Sequence, residues 1–169
     1  MKTVGIIGGM GPEATADLFQ KIIVFTNAKH DYEHIHILID NNTDIPDRTE
    51  AILNGGESPL PQMLASADRL VRQGADFLAI GCNTAHYFYD ELSRNVPVPI
   101  LNMIEITMKK ILEQNLNTVG ILGTFATLKT GLYDRLSEYG IKIIKPDESD
   151  EALIMDMIYD GVKGGRSNY

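Results

Sequence analysis

The hexapeptide TVGIIG at residues 3–8 returns as TVGILG at residues 118–123, an offset of 115 residues. Each copy is a short β-type run followed by a polar turn and a helical stretch, residues 12–27 in the first and 127–138 in the second. The shared string in a shared strand–turn–helix context predicts two homologous halves. Each half opens as a βαβ unit, so the expected class is α/β with parallel sheets. The expected division is an N-terminal lobe over residues 1–103 and a second lobe over residues 104–169. The offset also sets a length. Two halves need about 230 residues, and the counterpart of Cys82 falls at roughly position 197. With 169 residues the second lobe is expected to be incomplete, and the chain to be a fragment of a longer protein. A natural gene product of 18.7 kDa would refute that expectation.

In the first copy the strand ends in GGMGPEAT, residues 8–15. Its glycines permit close backbone approach, and Pro12 suits a first helical turn, where its missing N–H costs nothing. The helix start that follows favours anions. The glycine spacing does not match G-x-G-x-x-G, so a dinucleotide site is not predicted. HIHILID, residues 34–40, alternates and then turns continuously apolar, which predicts a second strand. His30, His34 and His36 are rejected as a metal site. The last two share a strand face at the strand's start, away from the carboxyl edge where such sheets bind ligands, and no cysteine or carboxylate completes the set. Arg48 lies in the polar stretch at residues 41–50 on that edge. Its planar fork matches a carboxylate, and a solvated arginine or a salt bridge to Asp44 or Asp47 fits the sequence equally well. GGESPLP, residues 55–61, reads as a mobile loop before a helix over residues 63–73.

Residues 75–81 predict the third strand, and Cys82, the only cysteine, leaves it. Asn83, Thr84 and a helix follow. A thiol between a buried strand and a helix N-terminus is where a thiolate is favoured. Cys82 and His86, four apart, raise a nucleophile dyad as a rival, with a capping or packing histidine preferred. Residues 95–103 predict a fourth strand and residues 104–114 a helix. After the second hexapeptide, Thr124 and Thr127 take the turn positions held by Gly9 and Pro12 in the first copy. Residues 141–144 predict the next strand, and residues 150–162 an amphipathic helix that Lys163 closes. A net charge of −8 argues against a nucleic-acid partner, and means that an anionic small substrate needs locally placed cations. No apolar run approaches a membrane span, and MKTVGIIGGM does not read as an export signal. One cysteine excludes an internal disulfide framework, so the cytoplasm is the expected compartment.

Four motifs carry a resemblance: IGGMGPEAT (residues 7–15), IPDRT (45–49), GCNTAH (81–86) and GTFAT (123–127). In this order and spacing they resemble the aspartate/glutamate racemase family, amino-acid racemases that work without pyridoxal phosphate or other cofactor. The resemblance implies two similar three-layer α/β lobes related by a pseudo-two-fold axis, with the site in the cleft between them. It implies that Cys82 is one of two thiols facing opposite sides of the substrate Cα. Asn83, Thr84, Thr124 and Thr127 match residues that bind the α-carboxylate or amino group, and Met10 one that lines the pocket. Arg48 and Lys163 match positions that hold a side-chain carboxylate. The second cysteine has no match within these residues. The implied activity is racemisation of aspartate or glutamate, a small-molecule substrate, by a homodimer. Rivals are a related dicarboxylate lyase or isomerase, an inert amino-acid-binding protein, and a Cys–His hydrolase.

Overall fold

The computed structural model describes residues 2–165. Strand β1 (Val4–Gly8) is buried along its whole length. The chain leaves it through Gly9, whose φ is +88° and where a Cβ would run into the Asn42 carbonyl, so only glycine makes this turn. Pro12 then opens α1 (Pro12–Thr26), which ends at Asn27 in the left-handed conformation. A 3₁₀ turn at Asp31–Glu33 precedes β2 (Ile37–Asn41), which starts three residues later than predicted, so His34 and His36 lie ahead of the strand and not on it. His36 Nδ1 sits 3.3 Å from Thr3 Oγ1, and His30 stacks on Tyr32. Among the described residues no three His, Cys, Asp or Glu side chains gather as metal ligands.

Asp47 caps α2 (Arg48–Leu53) by accepting the N–H groups of Thr49 and Glu50. Arg48 therefore opens a helix and is buried, where the sequence predicted a polar loop. The helix α3 (Leu60–Arg72) starts three residues before its predicted position, anchored by a fully buried Pro59, and leads to β3 (Phe77–Ile80). The sheet order is β2-β1-β3, all parallel, with Val4 opposite both Ile37 and Phe77. Right-handed crossovers to the two sides of β1 put α1 and α3 on opposite faces. The carboxyl ends of β1 and β3 then flank the crevice where strand order reverses, the place where such sheets bind ligands.

A 3₁₀ helix (Thr84–Phe88) and α4 (Tyr89–Arg94) follow β3. The predicted fourth strand at residues 95–103 does not form. Pro97 and Pro99 offer no N–H, and the segment makes one parallel bridge, Leu78 to Ile100, through two 2.8 Å bonds at Leu78. Next come α5 (Met103–Glu113), β4 (Thr118–Gly120), α6 (Phe125–Lys129) and β5 (Lys142–Ile144), with β4 and β5 parallel. The helix predicted over residues 127–138 is broken: Gly131 takes φ +65°, and the chain resumes as a 3₁₀ helix, Asp134–Tyr139. The last helix, α7 (Glu148–Asp156), passes into a π-helical turn (Met157–Lys163).

Two apolar clusters result. One gathers Ile7, Met63, Leu70, Leu78, Leu92 and Ile100, and the other Ile104, Met108, Leu136 and Ile141. The lobe boundary we propose, between residues 103 and 104, follows that partition. No helix among the described residues is long and apolar enough to cross a membrane.

Candidate active site

The crevice opens on a cavity of about 200 Å³. Met10 reaches it from the turn after β1 and Arg48 from the start of α2. Cys82, Asn83 and Thr84 come from the exit of β3, Thr124 and Thr127 from the start of α6, and Lys163 from the end of the π turn. All eight residues singled out in the sequence line this one space, and both lobes contribute.

Cys82 is a half-buried free thiol. The helix after it is 3₁₀ and five residues long, so fewer aligned peptide dipoles face the sulfur than an α-helix would bring. His86 does not serve the thiol. Its Nδ1 lies 2.8 Å from the Cys82 carbonyl oxygen, and its Nε2 accepts the Met103 N–H at 3.1 Å. Those partners fix the neutral Nδ1–H tautomer. Burial lowers the pKa of the ring, against the raising effect of the backbone bond to Cys82. With both nitrogens engaged, the dyad reading falls.

The hydroxyls of Thr84, Thr124 and Thr127 form a buried triangle with sides of 2.8, 3.0 and 3.2 Å. Thr124 is also the N-cap of α6, accepting the Thr127 N–H at 3.3 Å. Three hydroxyls whose protons are directed only at one another can turn those protons outward to an arriving anion.

Arg48 is 6% exposed, and three of its five N–H donors go to backbone carbonyls. Nη1 bonds Ile45 at 3.2 Å and Pro46 at 2.9 Å, and Nη2 bonds Met10 at 3.3 Å. Its Nε is buried without a partner among the described residues. The guanidinium thus props the turn after β1 and lends the cavity positive charge. Two of its five donors, Nε–H among them, stay unengaged, so a carboxylate would meet a partly occupied fork where the sequence suggested a free one.

Lys163 is tied down as well. Its Nζ lies 3.5 Å from Asp47 Oδ2 and 3.8 Å from the centre of the Tyr159 ring. Tyr159 donates to Asp47 at 2.9 Å, and its hydroxyl also lies 3.2 Å from Thr49 Oγ1. Burial would raise the Asp47 carboxyl, yet the Glu50 N–H, the Lys163 charge, Tyr159 and Arg48 together hold it below its ordinary value. Burial pushes Lys163 down, and Asp47 offsets part of that.

Sequence reasoning named Asp47 only as a salt-bridge partner for Arg48, and it missed Tyr159 and Tyr133, whose hydroxyl donates to Asn83 Oδ1 at 2.6 Å. Asp47 carried a usable signal, because Asp followed three residues later by Glu is a helix-start signature. Tyr159 and Tyr133 carried none, since their partners lie 112 and 50 residues away.

Residues 7–168 match the sequence model of the family described as Asp/Glu/hydantoin racemase. The broad specificity amino-acid racemase RacX of Bacillus subtilis is 30% identical over 164 residues, an alignment covering 89% of this chain and 67% of that protein. The aspartate racemase of Picrophilus torridus superposes with a TM-score of 0.81 at 32% identity, covering 99% of this chain and 78% of that one. An aspartate racemase homologue from Pyrococcus horikoshii gives 0.77 at 28% identity, covering 98% and 73%. The chain spans less than half the length of the glutamate racemases of two Aquifex species that it also matches. A motif order read from the sequence, a parallel-sheet crevice that gathers those motifs, and a match over nearly every residue agree: the chain belongs to the Asp/Glu/hydantoin racemase family.

Proposed function

We propose that the protein to which this chain belongs racemises aspartate or glutamate without a cofactor, using Cys82 as one of two thiols. The observation that carries the reading is one small cavity holding Cys82 together with two cations and three buried hydroxyls from both lobes. An amino-acid Cα–H is a very weak acid, and there is no electron sink to spread a carbanion. A thiolate that takes the proton from one face while a thiol supplies one to the other keeps the charge from fully developing. The hydroxyl triangle is placed to donate to a carboxylate whose oxygens gain charge as Cα–H breaks. Lys163 shares the cavity with Cys82, whose charge favours the protonated lysine.

Substrate breadth has a second reading. Arg48 has three of its five donors taken and Lys163 is shared with Asp47, so both cations that could recognise a side-chain carboxylate are partly engaged. A preference resting on partly engaged cations is weak, which fits a wider substrate range such as the name of the Bacillus subtilis relative describes.

Two experiments test the proposal. In D₂O, the whole protein is expected to convert L- to D-aspartate with solvent deuterium appearing at Cα, and Cys82→Ala to lower that rate by roughly a hundredfold or more. A lyase or isomerase would instead leave unreacted amino acid unlabelled. The 169-residue chain, with one cysteine, is expected to give at most slow Cα–H exchange and no inversion. Turnover of L- to D-aspartate by that chain alone would overturn the two-thiol mechanism.

A further inference from the structure

We infer that Tyr133 is a positioning residue for this site: its hydroxyl pins the Asn83 carboxamide so that Asn83 offers N–H donors to a carboxylate of the ligand and does not receive its ammonium group. The inference rests on the proposed reading of the cavity as an amino-acid site.

Asn83 stands between two spaces. It lines the cavity with Cys82, and it also lines the recess behind, together with Tyr133 and Leu136. The two ends of a carboxamide differ in kind, the oxygen accepting and the nitrogen donating. Which end faces the ligand therefore decides which ligand group is recognised. Tyr133 settles that choice from the recess side, by donating to Oδ1 at 2.6 Å. Burial raises the Tyr133 pKa, so the phenol keeps the proton it donates. The Nδ2 end has no protein acceptor among the described residues, and its two hydrogens are left for the cavity. An ammonium group has no lone pair to receive them. A carboxylate has several.

The second lobe holds the tyrosine in place. Beyond α6, Thr130 donates to the Ala126 carbonyl at 2.6 Å, and Gly131 turns the chain at φ +65°, where a Cβ would sit 2.7 Å from Asp134 Oδ2. That turn puts the Tyr133 ring against the cluster of Ile104 and Leu136, while its hydroxyl crosses to a first-lobe residue. Asn83 itself is exposed, and an unpinned exposed carboxamide turns over freely. The pin is therefore worth what one hydrogen bond can enforce.

The test is calorimetric titration of L-aspartate into the 169-residue chain and four variants: Tyr133→Phe, Asn83→Ala, Asn83→Asp and the Tyr133→Phe/Asn83→Ala pair. Tyr133→Phe keeps the packed ring and is expected to weaken binding roughly three- to tenfold. Asn83→Ala is expected to weaken it at least as much, and the double variant to match Asn83→Ala within about twofold, since both act through one amide. Asn83→Asp still accepts from Tyr133 but has no donor, and is expected to lose binding as Asn83→Ala does. Three results would overturn the inference: Tyr133→Phe binding within about twofold of the parent, its loss recurring in full in the Asn83→Ala background, or Asn83→Asp binding like the parent. If the unaltered chain binds no L-aspartate, the amino-acid reading itself fails and the inference goes with it. That outcome is distinct from a parent that binds and a Tyr133 variant that does so equally well.

Discussion

The two copies of the strand–turn–helix unit make the same turn and use it differently. In the first, β1 is five residues long, fully buried and flanked by two strands, and α1 runs for 15 residues. In the second, β4 has three residues, a half-buried Val119 between exposed Thr118 and Gly120, and among the described residues pairs with β5 alone, while α6 has five residues. The turn chemistry nevertheless repeats. Thr15 donates to the Gly11 carbonyl at 3.0 Å, and 115 residues later Thr130 donates to that of Ala126 at 2.6 Å. What differs is the residue at the tightest point. Gly9 brings backbone against backbone at Asn42, whereas its counterpart Thr124 presents a hydroxyl to Thr84 and Thr127. One copy is a scaffold and the other a source of donors.

If so, stability resides mainly in the first lobe, and the largest effects should come from its core. Leu78 and Leu136 are both fully buried, one in each cluster. Leu78→Ala is expected to cost about 2–5 kcal/mol and to lower the global denaturation midpoint. Leu136→Ala should act locally, raising hydrogen exchange at β4 and β5 while Ile6 and Ile7 keep their protection. If Leu136→Ala exposes β1 as much as it exposes β4, the two lobes unfold as one unit and the comparison breaks.

The turn itself gives a smaller, sharper contrast. Gly9→Ala must move the Asn42 backbone and strain a positive φ, so a loss of about 2 kcal/mol or more is expected in thermal unfolding. Thr124→Ala removes a cap worth about 1 kcal/mol and takes one corner from the hydroxyl triangle. Its larger effect should fall on L-aspartate affinity. An affinity loss at Gly9→Ala with no change in unfolding would invert the assignment of roles.

Much of this was legible in the sequence for a physical reason. Strand, glycine turn and helix are local, and their chemistry is written in adjacent residues, so the repeat and the edge bearing Cys82 could be read directly. The misreadings have local causes too. Pro97 and Pro99 removed the donors a fourth strand needed, and Gly131 ended a helix that apolar spacing alone would have continued. The surroundings of Arg48 were harder to read. Its motif named the residue type, but the carbonyls of Ile45, Pro46 and Met10 converge on it only after the turn after β1 and the start of α2 have packed together. The Asp47–Tyr159–Lys163 group closes a loop of more than a hundred residues, and no window of sequence contains both ends.

The smallest expected effect concerns the seam between the lobes. His86 links the Cys82 carbonyl to the N–H of Met103, where α5 begins, and its ring stacks nearly parallel to Tyr89. Protonating Nε2 would cost the Met103 N–H its acceptor. The folded pKa lies below the unfolded value of about 6.5, so the unfolded chain binds the proton first. The stability that the neutral ring contributes is complete above about pH 6.5 and is lost as pH falls from there through the folded pKa. Asp47 also has a depressed pKa, but its contribution is lost only below the ordinary carboxylate range near pH 4, so the two windows separate. Thermal unfolding between pH 7 and pH 5 is therefore expected to show a falling midpoint in the parent and a flatter one in His86→Gln, which starts lower at pH 7. The same slope in both proteins would mean that His86 titrates alike folded and unfolded, and that the seam is held by packing alone.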